Sequence, residues 1–435
     1  MLEVLQIFNQ FLLFLLLTYF PFNKFTFSRS SYVDLDSNYK AFVVNIIFLL
    51  NIFLFFSFFE LNLNLVFIPL LLINSFFFLI NFSNIIKETF SIKNVDLKFA
   101  FIFICFCFFL RTASNLEIGW DGLAHWLPKT NTFYNNKSFF ETPHPEYPQL
   151  GSYMWAFFWK NSFMQKEYLG RLFFDYLYLI SIFIIASCLN VHSNFKKLIF
   201  IFCLILFTFD FNNKYSGYVD YLIFVLLTLV CKILLGINSK SKISQNYFDY
   251  ILLIMATVLL PWIKNEGIFY SLFIVIIYIF FISKSLKCKI IFLFAVLTNI
   301  IIQLFFLKVI LSANQVLQIP FTPDVIFKNI LDIKVLFYRI FYITFYIIRS
   351  AFQFPLILIN FICLVFYFKH YKDSAIKIFY IFLFFNLIFI YGIYISTTLP
   401  FIWHLTTSLS RLMLQSCGFY SFIIVYLINI KIIKI

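Results

Sequence analysis

Apolar residues run on along this chain where a water-soluble protein would alternate them with polar ones. Runs at 5–20, 41–59, 61–82 and 99–110 precede a polar interval at 111–151. Others follow at 153–163, 172–189, 198–209, 218–235, 250–262, 268–283 and 290–311, then at 335–348, 352–368, 378–396 and 412–430. Many approach the roughly 20 residues that a helix needs to cross a hydrocarbon layer about 30 Å thick. Inside lipid the backbone must satisfy its own hydrogen bonds, which a helix does within one segment. A barrel would need period-two alternation around a polar lumen, and none is visible. The pattern predicts an all-α fold, a polytopic transmembrane helical bundle.

The charges between the runs assign sides. Lys24, Arg29 and Lys40 form one basic interval, and Lys87, Lys93 and Lys98 another. Lys196 and Lys197, Lys240 and Lys242, Lys284, Lys287 and Lys289, Lys369, Lys372 and Lys377, and the tail lysines Lys431 and Lys434 continue the series. Basic loops mark the cytoplasmic side. Counting back from the tail places 397–411, 312–334, 264–267 and 210–217 outside the cytoplasm. The parity closes only if 153–163 and 335–348 do not cross. Both are short, and the second carries Arg339 in its middle. Both are expected to lie in the interface, which leaves about 13 spans, with the N-terminus and the 111–151 loop outside. The first run lacks a basic leader and a small-residue cleavage site, so it reads as a retained span. The expected organisation is one membrane domain over 1–435. Residues 1–98 add N-terminal spans, and 111–170 form an extracytoplasmic catalytic loop with interfacial helices.

Composition supports this reading. Of 435 residues, 63% are hydrophobic and 12% charged, against roughly 25% charged in a soluble domain. The net charge of +14 sits in inter-run loops, where it sets topology, and points to no nucleic-acid partner. None of the eight cysteines forms a CxxC pair. Cys105 and Cys107 would face different directions on a helix, and buried, inert thiols are expected.

Candidate chemistry gathers in the polar interval. It reads Gly119-Trp120-Asp121-Gly122-Leu123-Ala124-His125-Trp126-Leu127-Pro128-Lys129, continued by Pro145-Glu146-Tyr147-Pro148-Gln149-Leu150-Gly151. If helical, this stretch sets Asp121, His125 and Lys129 one turn apart on one stripe; alternatively, Pro128 opens a second helical segment. Trp120, Trp126 and Trp155 suit the headgroup layer. Further polar groups lie at other extracytoplasmic helix ends: Asp220 after Tyr218, Lys264 and Glu266 after Trp262, and His404 and Arg411 near the C-terminus. Ionisable groups at such depth are costly and tend to be functional. The guanidinium fork of Arg411 suits a phosphate.

Taken together, Gly119–Lys129 (119–129), 146–159, 217–221, 262–267 and 403–415 resemble blocks of the GT-C superfamily of membrane glycosyltransferases. The branch they resemble is the bacterial one related to protein O-mannosyltransferases and the aminoarabinose–lipid A transferase. The resemblance covers the chain from about residue 111 onward. It implies a polyprenyl-phosphate-linked sugar donor reached from the bilayer, and a lipid, glycan or protein acceptor. It also implies a bacterial inner-membrane location with an extracytoplasmic site. The catalytic aspartate of the first external loop would be Asp121. Many relatives carry two adjacent acidic residues there, whereas here Gly122 follows. No metal-ligand spacing supports a divalent cation, and no cofactor is expected.

The expected chemistry is a one-step inverting displacement. Asp121, with its charge free, would act as base for the acceptor hydroxyl. Arg411 and Lys264, with His404, would bind the donor phosphate. His125, Lys129, Tyr147, Asp220 and Glu266 would position substrate, with Asp220 and Glu266 also able to hold Lys264. A transporter or flippase, and a glycan polymerase or ligase using a diphosphate-linked lipid, are the competing classes.

Overall fold

In the computed structural model the apolar runs fold as helices, and there is no strand among the described residues. Those residues are 2–19, 37–59, 61–89, 95–191, 193–212, 214–239, 247–283, 285–310, 323–368 and 373–429. The expected basic marks at Lys24, Arg29, Lys93, Lys240, Lys242, Lys284, Lys369, Lys372, Lys431 and Lys434 lie outside them, as do 312–322.

Before the polar interval come α1 (Leu2–Tyr19), α2 (Ser37–Phe56), α3 (Leu63–Thr89) and α4 (Val95–Ser114). Next are α5 (Leu127–Tyr134), α6 (Leu150–Lys160), α7 (Glu167–Ser187), α8 (Asn194–Thr208), α9 (Asp220–Ser239) and α10 (Tyr247–Ile263). The chain continues through α11 (Gly267–Ile277), α12 (Leu286–Phe305), α13 (Pro323–Leu331) and α14 (Ile333–Ser350). It closes with α15 (Leu356–Phe366), α16 (Ser374–Ser396) and α17 (Phe401–Asn429). Among the described residues, 8 helices are long and apolar enough to cross a membrane: α1, α3, α4, α7, α9, α12, α16 and α17. α2, α10, α11 and α15 contribute shorter apolar helices.

The core forms around α7, α9 and α17. Of the apolar stretch of α7, 94% is buried. Where α17 crosses α9, a Cβ on Gly418 would lie 2.2 Å from the Phe224 carbonyl oxygen, so only glycine lets the two backbones approach. Phe382 and Phe419 stack beside this crossing with ring centroids 3.8 Å apart. Many large apolar side chains also stand exposed on the outer surface of the described residues, Phe103, Phe280, Phe294 and Phe384 among them. An apolar shell around an apolar core is what a chain solvated by hydrocarbon needs.

The helix ends segregate into two groups. At one end Asn190 N–H donates to Asn429 (2.7 Å), Asn238 to Ser374 (2.8 Å), and Tyr426 O–H to Asp373 (2.5 Å). At the other end lie the turns after α4, α8, α10 and α16, which carry the candidate chemistry. α1 begins at this second end, where Lys166 pairs with Glu3 at 3.3 Å, and its Gln10 donates to the Phe158 and Leu169 carbonyls.

α14 stays at the second end throughout. Its Arg339 donates to the carbonyls of Tyr394, Ile395 and Thr397 at 2.8, 3.0 and 3.4 Å. A cation here caps the unsatisfied carbonyls at the C-terminus of α16, which explains an arginine in mid-run. The turn after α14 meets Asp210 through Gln353 (3.3 Å).

One expectation is corrected. The run at 352–368 does not form one helix: residues 351–355 make a turn, and α15 starts only at Leu356. α6, expected in the interface, is buried along its whole stretch from Leu150 to Phe158. Its small residues Gly151, Ser152 and Ala156 let it sit inside the helix packing.

Candidate active site

The loop that carries Asp121 is tied to the turn before α9. Gly119 N–H donates to the Ser216 carbonyl (2.8 Å), and Asp121 N–H to the Tyr218 hydroxyl (2.9 Å). Gly217, at φ +79°, supplies the left-handed residue of that turn. Arg171 clamps both strands of the contact, donating to Ser216 Oγ (2.7 Å) and the Glu117 carbonyl (3.1 Å) while Glu167 accepts at 2.8 and 3.0 Å.

After Asp121 the chain widens into a single π-turn, Gly122–Trp126, closed by Leu127 N–H donating to the Gly122 carbonyl. Pro128 follows, with no N–H to continue an α-helical ladder. The extra residue in this turn breaks the expected stripe of Asp121, His125 and Lys129, because side chains four apart no longer align. Lys129 is instead buried, 1% exposed, and donates to the carbonyls of His144 (2.9 Å) and Tyr147. Burial lowers its pKa to about 7.

Asp121 Oδ2 accepts from Arg411 Nη1 of α17, and the two side chains are 19% and 15% exposed. The guanidinium also lies over the Tyr218 ring, 5.3 Å from its centroid. Asp121 Oδ1 has no protein hydrogen-bond partner among the described residues. The expected free carboxylate is therefore a paired one with one open oxygen. One turn along α17, Gln415 donates to Asp220 Oδ1. Lys264 donates to the same oxygen at 3.0 Å and pairs with Glu266 at 3.0 Å. Burial alone would lower the Lys264 pKa, but the Asp220 and Glu266 carboxylates outweigh it and the net shift is upward.

These groups face, or stand behind, one cavity of about 1220 Å³ at the second end of the bundle. Asp121, His125, Tyr147, Glu266, His404 and Arg411 line it. Lys264, Asp220 and Lys129 do not; all three are buried behind the wall. Lys264, expected at the donor phosphate, is set back from the cavity with its charge already met by two carboxylates. Lys129 and Asp220, expected beside substrate, contact protein groups: Lys129 supports the turn of Glu146 and Tyr147, and Asp220 holds Lys264 and Gln415.

The aromatic wall is packed ring on ring. His125 lies 4.6 Å from His144 and 4.9 Å from Tyr147, centroid to centroid. Its pKa is lowered first by burial, then by His144. Tyr147 is pushed up by burial and by the nearby carboxylates, Asp121 first. Asn265 donates to the Glu146 carbonyl (3.0 Å), which joins the α10–α11 turn to this loop. His404 Nδ1 meets Thr397 Oγ1 at 2.9 Å.

Three functional candidates have no counterpart in the sequence reading. Arg171 had a local signal in Glu167, four residues earlier on α7. Lys214 and Arg349, unlike Arg171, line the cavity, but neither lies in a motif. Cys105 is buried and Cys107 exposed, as their spacing predicts, although Cys107 departs from the expected burial. Among the described residues no group of three or more His, Cys, Asp or Glu side chains is placed to hold a metal ion. Compared with known protein families, curated proteins and solved structures, the chain matches none.

Proposed function

We propose that this chain is a membrane glycosyltransferase. It moves a sugar from a polyprenyl-phosphate-linked donor to a lipid, glycan or protein acceptor. The observation that carries the reading is the Asp121–Arg411 pair on the wall of a polar cavity at one end of an apolar bundle. At about 1220 Å³ the cavity exceeds the usual ~300–1,000 Å³ of a single-ligand site, so a sugar-phosphate head and an acceptor fit together.

In the proposed step the acceptor oxygen bonds to the anomeric carbon as its proton passes to Asp121 Oδ1. The bond from that carbon to the phosphate oxygen breaks, and its electron pair leaves with the lipid phosphate. General-base help of this kind contributes about 10²–10⁴-fold. Arg411 fixes Asp121 through Oδ2 and turns its remaining N–H groups to the leaving oxygen. Displacement in one step inverts the anomeric configuration. Neither a divalent metal nor a cofactor enters the step.

The topology belongs to the same proposal. About 13 spans cross the membrane, with α6 and α14 held at the site end. Lys196, Lys287, Lys289 and Lys377 lie at the helix ends away from the cavity, and this distribution of basic residues supports an extracytoplasmic cavity. A bacterial inner membrane would supply the donor.

The test is incubation of the purified protein in lipid with a panel of polyprenyl-phosphate sugars and candidate acceptors. Mass measurement of released lipid phosphate and glycosylated acceptor reads the outcome. Absence of both across the panel would remove the transferase reading.

A further inference from the structure

Six formally charged side chains line the cavity: Asp121, Glu146, Glu266, Lys214, Arg349 and Arg411. Arg411 is engaged by Asp121, Glu266 by Lys264, and Glu146 by His144 at 3.2 Å. Lys214 and Arg349 have no acidic partner within ion-pair distance among the described residues, and both are exposed to the cavity solvent. Two cations without an ion-pair partner, facing one space, attract an anion.

The segments that carry them are joined. Asp210 holds the Lys214 turn, accepting from Asn212 N–H (3.2 Å) and Tyr215 N–H (3.0 Å). The same carboxylate accepts from Gln353 (3.3 Å), in the turn that continues α14 just past Arg349. Arg349 itself lies over Tyr346, 5.5 Å from the ring centroid. Tyr346, Arg349, Ser350 and Gln353 give α14 a polar cavity face. The face beside it is apolar, running on into the turn that follows: Phe345, Ile348 and Phe352 are 51%, 51% and 89% exposed. This helix end therefore sets Arg349 beside an exposed apolar strip, and the Asp210 contact ties the Lys214 turn to it.

We propose that Lys214 and Arg349 form the seat of a lipid phosphate, whose chain leaves the cavity past Phe345, Ile348 and Phe352. The proposal rests on the glycosyltransferase reading for the ligand's role and names the residues that hold its phosphate. A soluble anion would use the cations but not the strip. A neutral lipid would use the strip but not the cations.

The experiment measures binding without transfer. Farnesyl phosphate is titrated into the full-length protein in neutral-lipid nanodiscs, and fluorescence of the cavity indoles Trp120 and Trp403 is read. Saturable binding is expected, with farnesol and inorganic phosphate at least tenfold weaker. The double variant Lys214→Gln/Arg349→Gln is expected to lose about 100-fold in affinity, since two charge-assisted contacts are removed. Lys328→Gln, which removes an exposed cation from α13, should bind as the wild type does. Thermal unfolding checks that all variants are folded.

Unchanged affinity in the double variant overturns the seat, as does equal binding of inorganic phosphate or no binding of farnesyl phosphate. The two readings fail separately. Farnesyl phosphate held by Lys214 and Arg349 with no sugar transfer by the wild type sinks only the transferase reading. Sugar transfer by the wild type with undiminished lipid-phosphate binding in the double variant sinks only the seat.

Discussion

A buried charge in an apolar protein survives only with a partner, and the residues of this site obey that rule. Lys264 keeps its proton because two carboxylates surround it. Lys129 has only carbonyls within reach, and burial drives its pKa down to about 7. The sign of the consequence is definite. An unfolded lysine titrates near 10.4, so between about pH 7 and pH 10 the unfolded chain holds a proton that the folded chain has released. Stability should rise with pH across that window, by up to about 1.4 kcal/mol per unit, and level off above it. Thermal unfolding in detergent from pH 6 to 10 checks this, with Lys129→Met expected to flatten the curve. Residue types were legible in the sequence at this scale. Asp121 beside two indoles, and Arg411 entering an apolar run, both point to a site. Their pairing was not legible, because residues 290 positions apart carry no local sign of contact.

At the scale of elements, two contacts aim the chemistry. The π-turn before α5 rotates Lys129 away from Asp121, and the glycine crossing of α17 on α9 brings Gln415 and Arg411 to Asp220 and Asp121. Gly418→Ala should be felt at both ends of that lever. Its Cβ would meet the Phe224 carbonyl as well as Thr228 Oγ1, and since the carbonyl is backbone the helices must separate. The expected cost is about 1–3 kcal/mol of stability, together with a fall in sugar transfer, measured by thermal unfolding and product formation. A wild-type melting temperature in this variant would show that the crossing is looser than described. Helix existence was legible from apolar runs. The π-turn was not, since Pro128 alone fits either a kinked stripe or a fresh helix start. The break at 351–355 did leave a sign, since Gln353 interrupts the run and Pro355 stands just before α15, but the surrounding apolar residues masked it.

For the whole molecule, segregation of helix ends matters more than any one contact. The lysines between runs predicted which ends travel together, and the contacts 190–429, 238–374 and 373–426 join the ends opposite the cavity. The cavity itself could not be read from a linear pattern. Its walls come from segments as distant as residues 121 and 411, and α14 contributes Arg349 from a run with no motif. The proposed orientation has a direct check by cysteine labelling in intact cells, with the wild type as background. Lys137→Cys, in the exposed turn after α5, should react with a membrane-impermeant maleimide. Lys196→Cys, on exposed α8, should react only after permeabilisation. The reverse pattern would turn the cavity toward the cytoplasm.

The central claim is that Asp121 takes a proton while a lipid phosphate leaves. Single-turnover release of lipid phosphate, measured for the wild type and for Asp121→Asn at equal donor occupancy, tests it most directly. The account predicts a loss of about 10²-fold or more in rate with donor binding retained. An Asp121→Asn protein that releases lipid phosphate at the wild-type rate would contradict it.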